Sequence, residues 1–304
     1  MLKFTLRQLR YFEAVARHGH FGRAAEACAV SQPAMSMQIK ELEEALDLTL
    51  LERDARSVRL TGVGADVLDQ VQPILRAAEA LSQFAASARG RSAGVLRVGV
   101  IPTIAPYLLP ALLAAVADTP LDLRLREAVT EKLLSGITEG TLDVAIVALP
   151  VGVRGLCERA LFDEDFVLVR PHADAGAPVP APETLPERAL LLLEEGHCFR
   201  DQALAFCNTR SAGGAMEAAS LTTLVQMVAA GLGVTLIPKM AVPVEAASAP
   251  VSIASFEGFA PARTVGLAFR QTTPLTAEID RLSRAILRVS GHDGAAPAHR
   301  APPV

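Results

Sequence analysis

Apolar residues recur every three to four positions over residues 5–17, where Leu6, Leu9, Phe12, Val15 and Ala16 share a helical face and Gly19 ends the run. A short alanine-rich helix is predicted over Gly22–Cys28. Ser31 then caps a third helix that accommodates Pro33 in its first turn, with Ala34, Ile39, Leu42 and Leu46 as the predicted buried face. The pattern next becomes strand-like, with residues 49–53 and 58–61 flanking a turn at Asp54–Ser57. Three helices and a hairpin make a winged helix-turn-helix over residues 1–62.

Thr61 can cap a long helix reaching about Gly90. Val67, Val71, Ile74, Ala78, Leu81, Ala85 and Ala88 advance in steps of four and three, a heptad seam that predicts a coiled-coil dimer along residues 63–90. The alternative is a helix packed on its own domain. Pro73 lies inside the pattern, where it is expected to kink the helix or remove one hydrogen bond. Gly90, Ser92 and Gly94 read as a hinge.

Beyond Val95, near-continuous apolar strands at 95–101, 121–128 and 142–149 alternate with helices 107–117 and 131–139. Such strands belong to a parallel sheet covered on both faces. A second set follows: strands near 165–170 and 189–193, a helix bearing two cysteines, helix 221–230 ended by Gly231 and Gly233, strands 234–237 and 264–269, and helix 276–289. The predicted fold class is α/β. A winged helix-turn-helix and linker helix precede a two-lobed regulatory domain, residues 91–290, of the periplasmic-binding-protein type. Crossings near 165 and 267 leave a cleft between the lobes. The Ala-, Pro- and Gly-rich tail 291–304 is predicted to be disordered.

Composition sharpens this picture little: 304 residues, 51% hydrophobic and 20% charged, fit a globular chain of two to three domains. The N-terminus has no apolar segment of the signal-peptide kind, and no apolar run approaches the ~18 residues of a membrane span. A cytoplasmic protein without membrane association is expected. A net charge of −4 argues against a surface coated with nucleic acid, yet it leaves room for a local basic patch.

Four cysteines occur: Cys28, Cys157, Cys198 and Cys207. Cys28 reads as core and Cys157 as part of a connecting segment. Cys198 and Cys207 lie nine residues apart in a predicted helix. Nine helical steps separate them by about 13 Å on opposite faces, whereas a disulfide needs Cα atoms within roughly 7 Å. Joining them requires the helix to unwind. In a reducing compartment the pair therefore reads as a redox switch rather than a staple. A zinc site from His197, Cys198 and Cys207 fails because one helix splays the ligands apart. His18 and His20 suit a turn better than a ligand set. No phosphate-binding glycine loop, HExxH motif or nucleophile elbow is present, so no cofactor or metal is expected.

The third helix opens with Ser31-Gln32-Pro33-Ala34-Met35-Ser36. The first turn of a recognition helix enters the major groove, where Gln32, Ser36 and Gln38 can reach base edges beside Pro33. Lys40, Arg53, Arg56 and Arg59 can clamp phosphates of double-stranded promoter DNA. Leu9-Arg10-Tyr11-Phe12, Phe21-Gly22-Arg23-Ala24-Ala25, Ser31-Gln32-Pro33-Ala34 and Leu51-Glu52-Arg53 resemble the DNA-binding domain of LysR-type transcriptional regulators. Met37 departs from the polar or small residue often found at that place, which bears on operator preference.

Within the family, Gly196–Ala203 followed by Phe206-Cys207, the run Ile101–Pro110, Glu127-Ala128-Val129-Thr130 and Met227–Gly231 are similar to the hydrogen peroxide-sensing subgroup. The chemistry agrees. A thiolate attacks peroxide, and Cys198 follows Gly196 at a helix start, where unpaired N–H groups favour an anion. Arg200 and His197 add candidate positive charge. Thr103 and Thr130 follow strand ends, where open α/β sheets bind ligands; they read equally as helix caps or as hydroxyls that orient peroxide, and the resemblance implies the second. His197, Arg200, Asp201 and, less directly, Arg263 complete the expected pocket.

The resemblance implies a non-enzymatic activator of antioxidant genes, with Cys198 as sensor and Cys207 as resolving thiol. It further implies a homotetramer built as a dimer of dimers, contact with RNA polymerase, and resetting by a thiol reductant such as glutaredoxin or thioredoxin. Two alternatives remain: a regulator answering a small metabolite in the cleft, and a thiol peroxidase, against which the DNA-binding domain argues.

Overall fold

The computed structural model describes residues 3–53, 58–88, 95–181, 184–185, 190–207, 216–256 and 261–293. The chain divides into two compact units, Met1–Arg89 and Gly90–Val304.

In the first unit, helix α1 (Leu6–His18) starts with a capping box between Thr5 and Gln8 and ends on left-handed Gly19. His20 caps α2 (Phe21–Ala27): its Nδ1 accepts from the Gly22 N–H. Ser31 caps α3 (Gln32–Leu46). Strands β1 (Leu51–Arg53) and β2 (Val58–Leu60) pair antiparallel as the wing. On α3 the predicted Ile39 and Leu42 are buried and Met35 joins them, whereas Ala34 and Leu46 are only half-buried. The core formed by Leu9, Phe12, Val15, Ala24 and Leu50 lies under Met35, so the longer side chain takes the inner position.

Helix α4 (Gly62–Ala88) begins where the Thr61 hydroxyl accepts from the Gly64 N–H, and it includes Pro73. The predicted seam divides. Val71 is buried in the winged-helix core with Val67 packed beside it, as in the own-domain alternative, whereas Ile74 and Leu81 are exposed. The hinge glycines and Arg56 lie outside the described residues.

The second unit is built on a seven-stranded sheet ordered β10-β6-β11-β5-β3-β4, with β9 also on β6. Strands β3 (Leu96–Val100), β4 (Leu123–Glu127) and β5 (Val144–Leu149) are parallel and connected through helices α5 (Ala105–Val116) and α6 (Thr130–Glu139). Strand β6 (Leu156–Pro171) begins well before the predicted 165, so Cys157 lies in a strand and not in a connector. Its first part pairs with β11 (Ala262–Arg270). Its second part pairs with β9 (Thr235–Pro238) and β10 (Val251–Ala254). One strand thus serves two hydrophobic cores: Leu161 and Phe162 belong to the first, Phe166 to Val169 to the second.

The second lobe adds the short strands β7 (Leu192–Leu193) and β8 (Glu217–Ala218), which pair parallel. Its helices are α7 (Cys198–Phe206), α8 (Leu221–Ala229) and α9 (Val242–Glu245). Helix α10 (Thr276–Val289) returns to the first core through Ile279, Leu282 and Ile286. Ordered structure continues past 290, because the His292 ring stacks on Phe162 with centroids 4.6 Å apart.

Candidate functional site

Gly196 turns the chain from β7 into α7 with φ +93, a value that suits glycine. Helix α7 runs from Cys198 to Phe206, and Cys207 caps it with its N–H donating to the Ala203 carbonyl. Cys198 is half-buried against the first core, whereas Cys207 is 2% exposed inside the second. All four cysteines are thiols. Phe199 fixes the helix start: its ring meets Phe166 edge-on at 4.7 Å and lies under the Arg263 guanidinium at 5.9 Å.

Cys198 lies at a narrow recess lined by Ile101, Pro102, Thr103, Val129, Thr130 and His197, too tight in this structure to hold a water molecule. Neither threonine is a helix cap. Ile104, at the start of α5, has no side-chain cap, and Thr130 is the first residue of α6 beyond uncapped Val129. The Thr130 Oγ1 is buried with no hydrogen-bond partner. A buried hydroxyl without a partner costs about 1–3 kcal/mol.

Thr103 is 3% exposed, and its Oγ1 accepts from Arg263 Nη1 at 2.7 Å. That contact uses the oxygen and leaves the hydroxyl proton to donate elsewhere. Arg263 stands behind Thr103, buried, with Nε donating to Glu164 at 2.8 Å and Nη2 to the Thr103 carbonyl at 3.0 Å.

Two expected pocket residues stand elsewhere. Arg200 donates to the Leu193 carbonyl and pairs with Glu217 at 2.6 Å, which ties the start of α7 to β7 and β8. Asp201 is exposed. Neither lines the recess. His197 does, but burial holds its imidazole below the ordinary value while Glu194 pulls the other way more weakly. It is therefore neutral near pH 7 and does not supply the positive charge expected of it. Sequence reasoning missed Glu164 and Phe199. Glu164 carries no motif, and its link to Arg263 arises from a cross-strand register that only the fold supplies.

A wider cleft of about 490 Å³ adjoins the recess and shares Thr103, Val129 and His197 with it. Tyr107, Arg126, Lys132, Ser220 and Thr222 also line this cleft. Tyr107 donates to buried Glu245 at 2.7 Å, and the Thr222 hydroxyl donates to the same oxygen at 3.0 Å. Burial and then the Glu245 hydrogen bond push the Tyr107 phenol above its usual range.

In the first unit, Gln32, Pro33, Lys40 and Arg59 are exposed, and Ser36 and Gln38 are half-buried. Lys40 pairs with Glu44 at 3.6 Å, and Gln38 donates to Glu41 at 2.7 Å. Arg53 lies in β1. Among the described residues no cluster of His, Cys, Asp or Glu could hold a metal ion, and no helix is long and apolar enough to cross a membrane.

Residues 6–65 match the bacterial regulatory helix-turn-helix protein, lysR family, and residues 89–290 match the LysR substrate binding domain. The chain belongs to the LysR family.

Its similarities within that LysR family fall on the OxyR branch. It is 46% identical to a probable hydrogen peroxide-inducible genes activator of Streptomyces viridosporus, over 93% of each chain. It is 40% identical to the DNA-binding transcriptional dual regulator OxyR of Escherichia coli K12, over 95% of this chain and 97% of the other. Among solved structures, a full-length cysteine-to-aspartate variant of Pseudomonas aeruginosa OxyR superposes with a TM-score of 0.77 at 37% identity, covering 93% and 95% of the two chains. An H2O2-bound mutant of Corynebacterium glutamicum OxyR gives 0.64 at 35% identity, covering 95% and 93%. The chain is thus an OxyR-like helix-turn-helix transcription regulator of the LysR family.

Proposed function

We propose that this chain senses hydrogen peroxide through Cys198 and changes transcription by forming a reversible Cys198–Cys207 disulfide. The observation that carries the reading is Cys198 beside two threonine hydroxyls, one whose oxygen accepts from Arg263 and leaves its proton to donate, the other buried without a partner. Thr103 donates to the peroxide oxygen that leaves with negative charge, and Thr130 accepts from the other end. The Cys198 thiolate forms an S–O bond as the O–O bond breaks, and hydroxide leaves to become water. The Cys207 thiol then attacks sulfur, the S–O bond breaks, and a second water departs. Relatives named as hydrogen peroxide-inducible genes activators support the same signal.

The consequence follows from α7. Its two ends cannot meet while it is helical, so the disulfide refolds the segment and strips Phe199, Leu204 and Cys207 from the second core. That change alters subunit contacts in a tetramer of two dimers and shifts the winged helices on promoter DNA in the cytoplasm. Gln32, Pro33, Ser36 and Gln38 face bases, and Lys40, Arg53, Arg56 and Arg59 face phosphates. RNA polymerase contact at antioxidant genes and reduction by a glutaredoxin- or thioredoxin-type dithiol complete the cycle.

Peptide mapping after stoichiometric peroxide, beside footprinting of reduced, oxidised and Cys198→Ser protein, tests this. A Cys198–Cys207 peptide and an altered footprint absent from the variant are expected. Lack of the linkage, or an unchanged footprint once it forms, sinks the reading. A second reading, a small metabolite in the cleft, draws on the about 490 Å³ of space with Arg126 and Lys132 on its wall. It predicts a footprint that changes with ligand and not with peroxide.

A further inference from the structure

Glu164 is 5% exposed and lies directly across from Arg263 in the β6–β11 ladder. Its two oxygens have separate tasks. Oε2 holds Arg263 through Nε at 2.8 Å and Nη2 at 2.7 Å, while Oε1 accepts from the Met240 N–H at 3.0 Å. The Arg263 side chain is fully buried and covers the Phe199 ring. A buried guanidinium needs both a counter-charge and acceptors for its donors. Glu164 supplies the charge and fixes the plane of the fork, which sets Nη1 on the Thr103 Oγ1 at 2.7 Å.

We propose that Glu164 is a positioning residue for the peroxide reaction, acting through Arg263 to make Thr103 a donor at Cys198. The proposal rests on the reading of Cys198 as the peroxide sensor. Without Arg263 on its oxygen, the Thr103 hydroxyl is free to rotate and to spend its proton elsewhere. With Arg263 in place, the proton faces away from the guanidinium. The Met240 contact adds a consequence: the same carboxylate ties this donor to the segment after β9, in the second lobe.

The test uses the full chain carrying Cys207→Ser, so that the Cys198 sulfenic acid accumulates and can be captured with a 1,3-dione. Rates with hydrogen peroxide are compared with rates of alkylation by iodoacetamide, which needs the same thiol but no oriented O–O bond. Glu164→Gln offers one acceptor oxygen where two are used, and Glu164→Asp keeps the charge but shortens the reach, so one of the pair remains usable if the other folds poorly. The expected result is a fall of about tenfold or more in the peroxide rate with an unchanged iodoacetamide rate. Adding either change to Thr103→Val is expected to cost nothing further, because both act through one hydroxyl.

Equal loss in both reactions would reduce Glu164 to a structural residue and overturn the proposal. So would an unchanged peroxide rate, or a loss that adds to that of Thr103→Val. If the Cys207→Ser parent alkylates but does not react with peroxide, the sensor reading itself falls, and the proposal falls with it. That outcome is visible before any Glu164 variant is made.

Discussion

Cys198 and Cys207 stand at opposite ends of α7 and belong to different hydrophobic cores, the first beside Ile101 and Thr103 and the second buried in the other lobe. A disulfide between them therefore exchanges packing for a covalent bond. The contacts that hold α7 to the second core, from Phe199, Ala203, Leu204 and Cys207, oppose oxidation. In the proposed switch, their strength sets the potential at which it turns.

Phe199→Ala is expected to make the disulfide harder to reduce. The ring packs on Phe166 and under Arg263 with α7 intact, so, if the proposed disulfide unwinds α7, truncation destabilises the dithiol form selectively. A buried Phe→Ala change costs roughly 3–5 kcal/mol, and about 1.4 kcal/mol corresponds to roughly 30 mV for a two-electron couple. Titration in thiol–disulfide buffers should show a potential more negative by roughly 60–100 mV. An unchanged value would mean that Phe199 keeps its packing in the oxidised protein.

Thr130→Val separates stability from chemistry. Its hydroxyl is buried without a partner, so a methyl of similar shape should leave unfolding within about 1 kcal/mol of the parent or raise it. The peroxide rate should fall about tenfold or more, since one ligand contact at Cys198 is lost. A large loss of stability in chemical denaturation would show that the hydroxyl serves the fold instead.

Much of this arrangement was legible in the chain. Thr103 and Thr130 were expected beyond strand ends, where open α/β sheets bind ligands, and they follow β3 and β4 at the recess beside Cys198. The helix bearing the two cysteines was expected, and α7 runs from Cys198 to Phe206 with Cys207 as its cap. The early part of β6 was not seen: Cys157 read as part of a connecting segment, whereas Leu156 to Asp165 pair with β11. Strand β10 is only four residues long and follows an Ala- and Ser-rich stretch. Arg200 was placed in the pocket because sequence gives its position at a helix start but not the Glu217 carboxylate that draws it away. Val67 and Val71 fit a dimer seam and their own core equally well, and the fold uses them for the core.

His197 gives the regulatory domain an acid-sensitive component. Burial depresses its pKa in the folded state, so the unfolded chain binds the proton more readily. The associated stability is complete above the unfolded value of about 6.5 and is lost as pH falls through it toward the folded value. Thermal melts at about pH 7.5 and about pH 5.5 should show a larger drop for the parent than for His197→Gln. Equal drops in the two proteins would remove His197 as the cause.

Tyr107 joins α5 to Glu245 of α9 across the wall of the cleft. Glu245 is 4% exposed, and Tyr107→Phe leaves it with the Thr222 hydroxyl on the same oxygen. The loss of one hydrogen bond to a buried carboxylate should cost about 1.5–3 kcal/mol in denaturant unfolding. Tyr107→Phe with Thr222→Val should cost more than the sum of the single changes, since the carboxylate is then stripped of both donors. Strict additivity would mean that the two donors act independently.

Met37 is 57% exposed on α3, one helical turn after Pro33 and one before Lys40, and it faces away from buried Met35 and Ile39. A thioether there has no hydrogen bond to offer a base edge, but it can cover the methyl group of thymine in the major groove. Duplexes selected from a random pool by the parent protein should bind about fivefold to tenfold more weakly when one contacted thymine is replaced by uracil, which lacks only that methyl. Met37→Ala should bind the thymine and uracil duplexes alike, whereas Gln32→Ala should retain the difference. If no single thymine-to-uracil replacement weakens the parent, Met37 does not read a methyl group and its exposure serves no base contact of this kind.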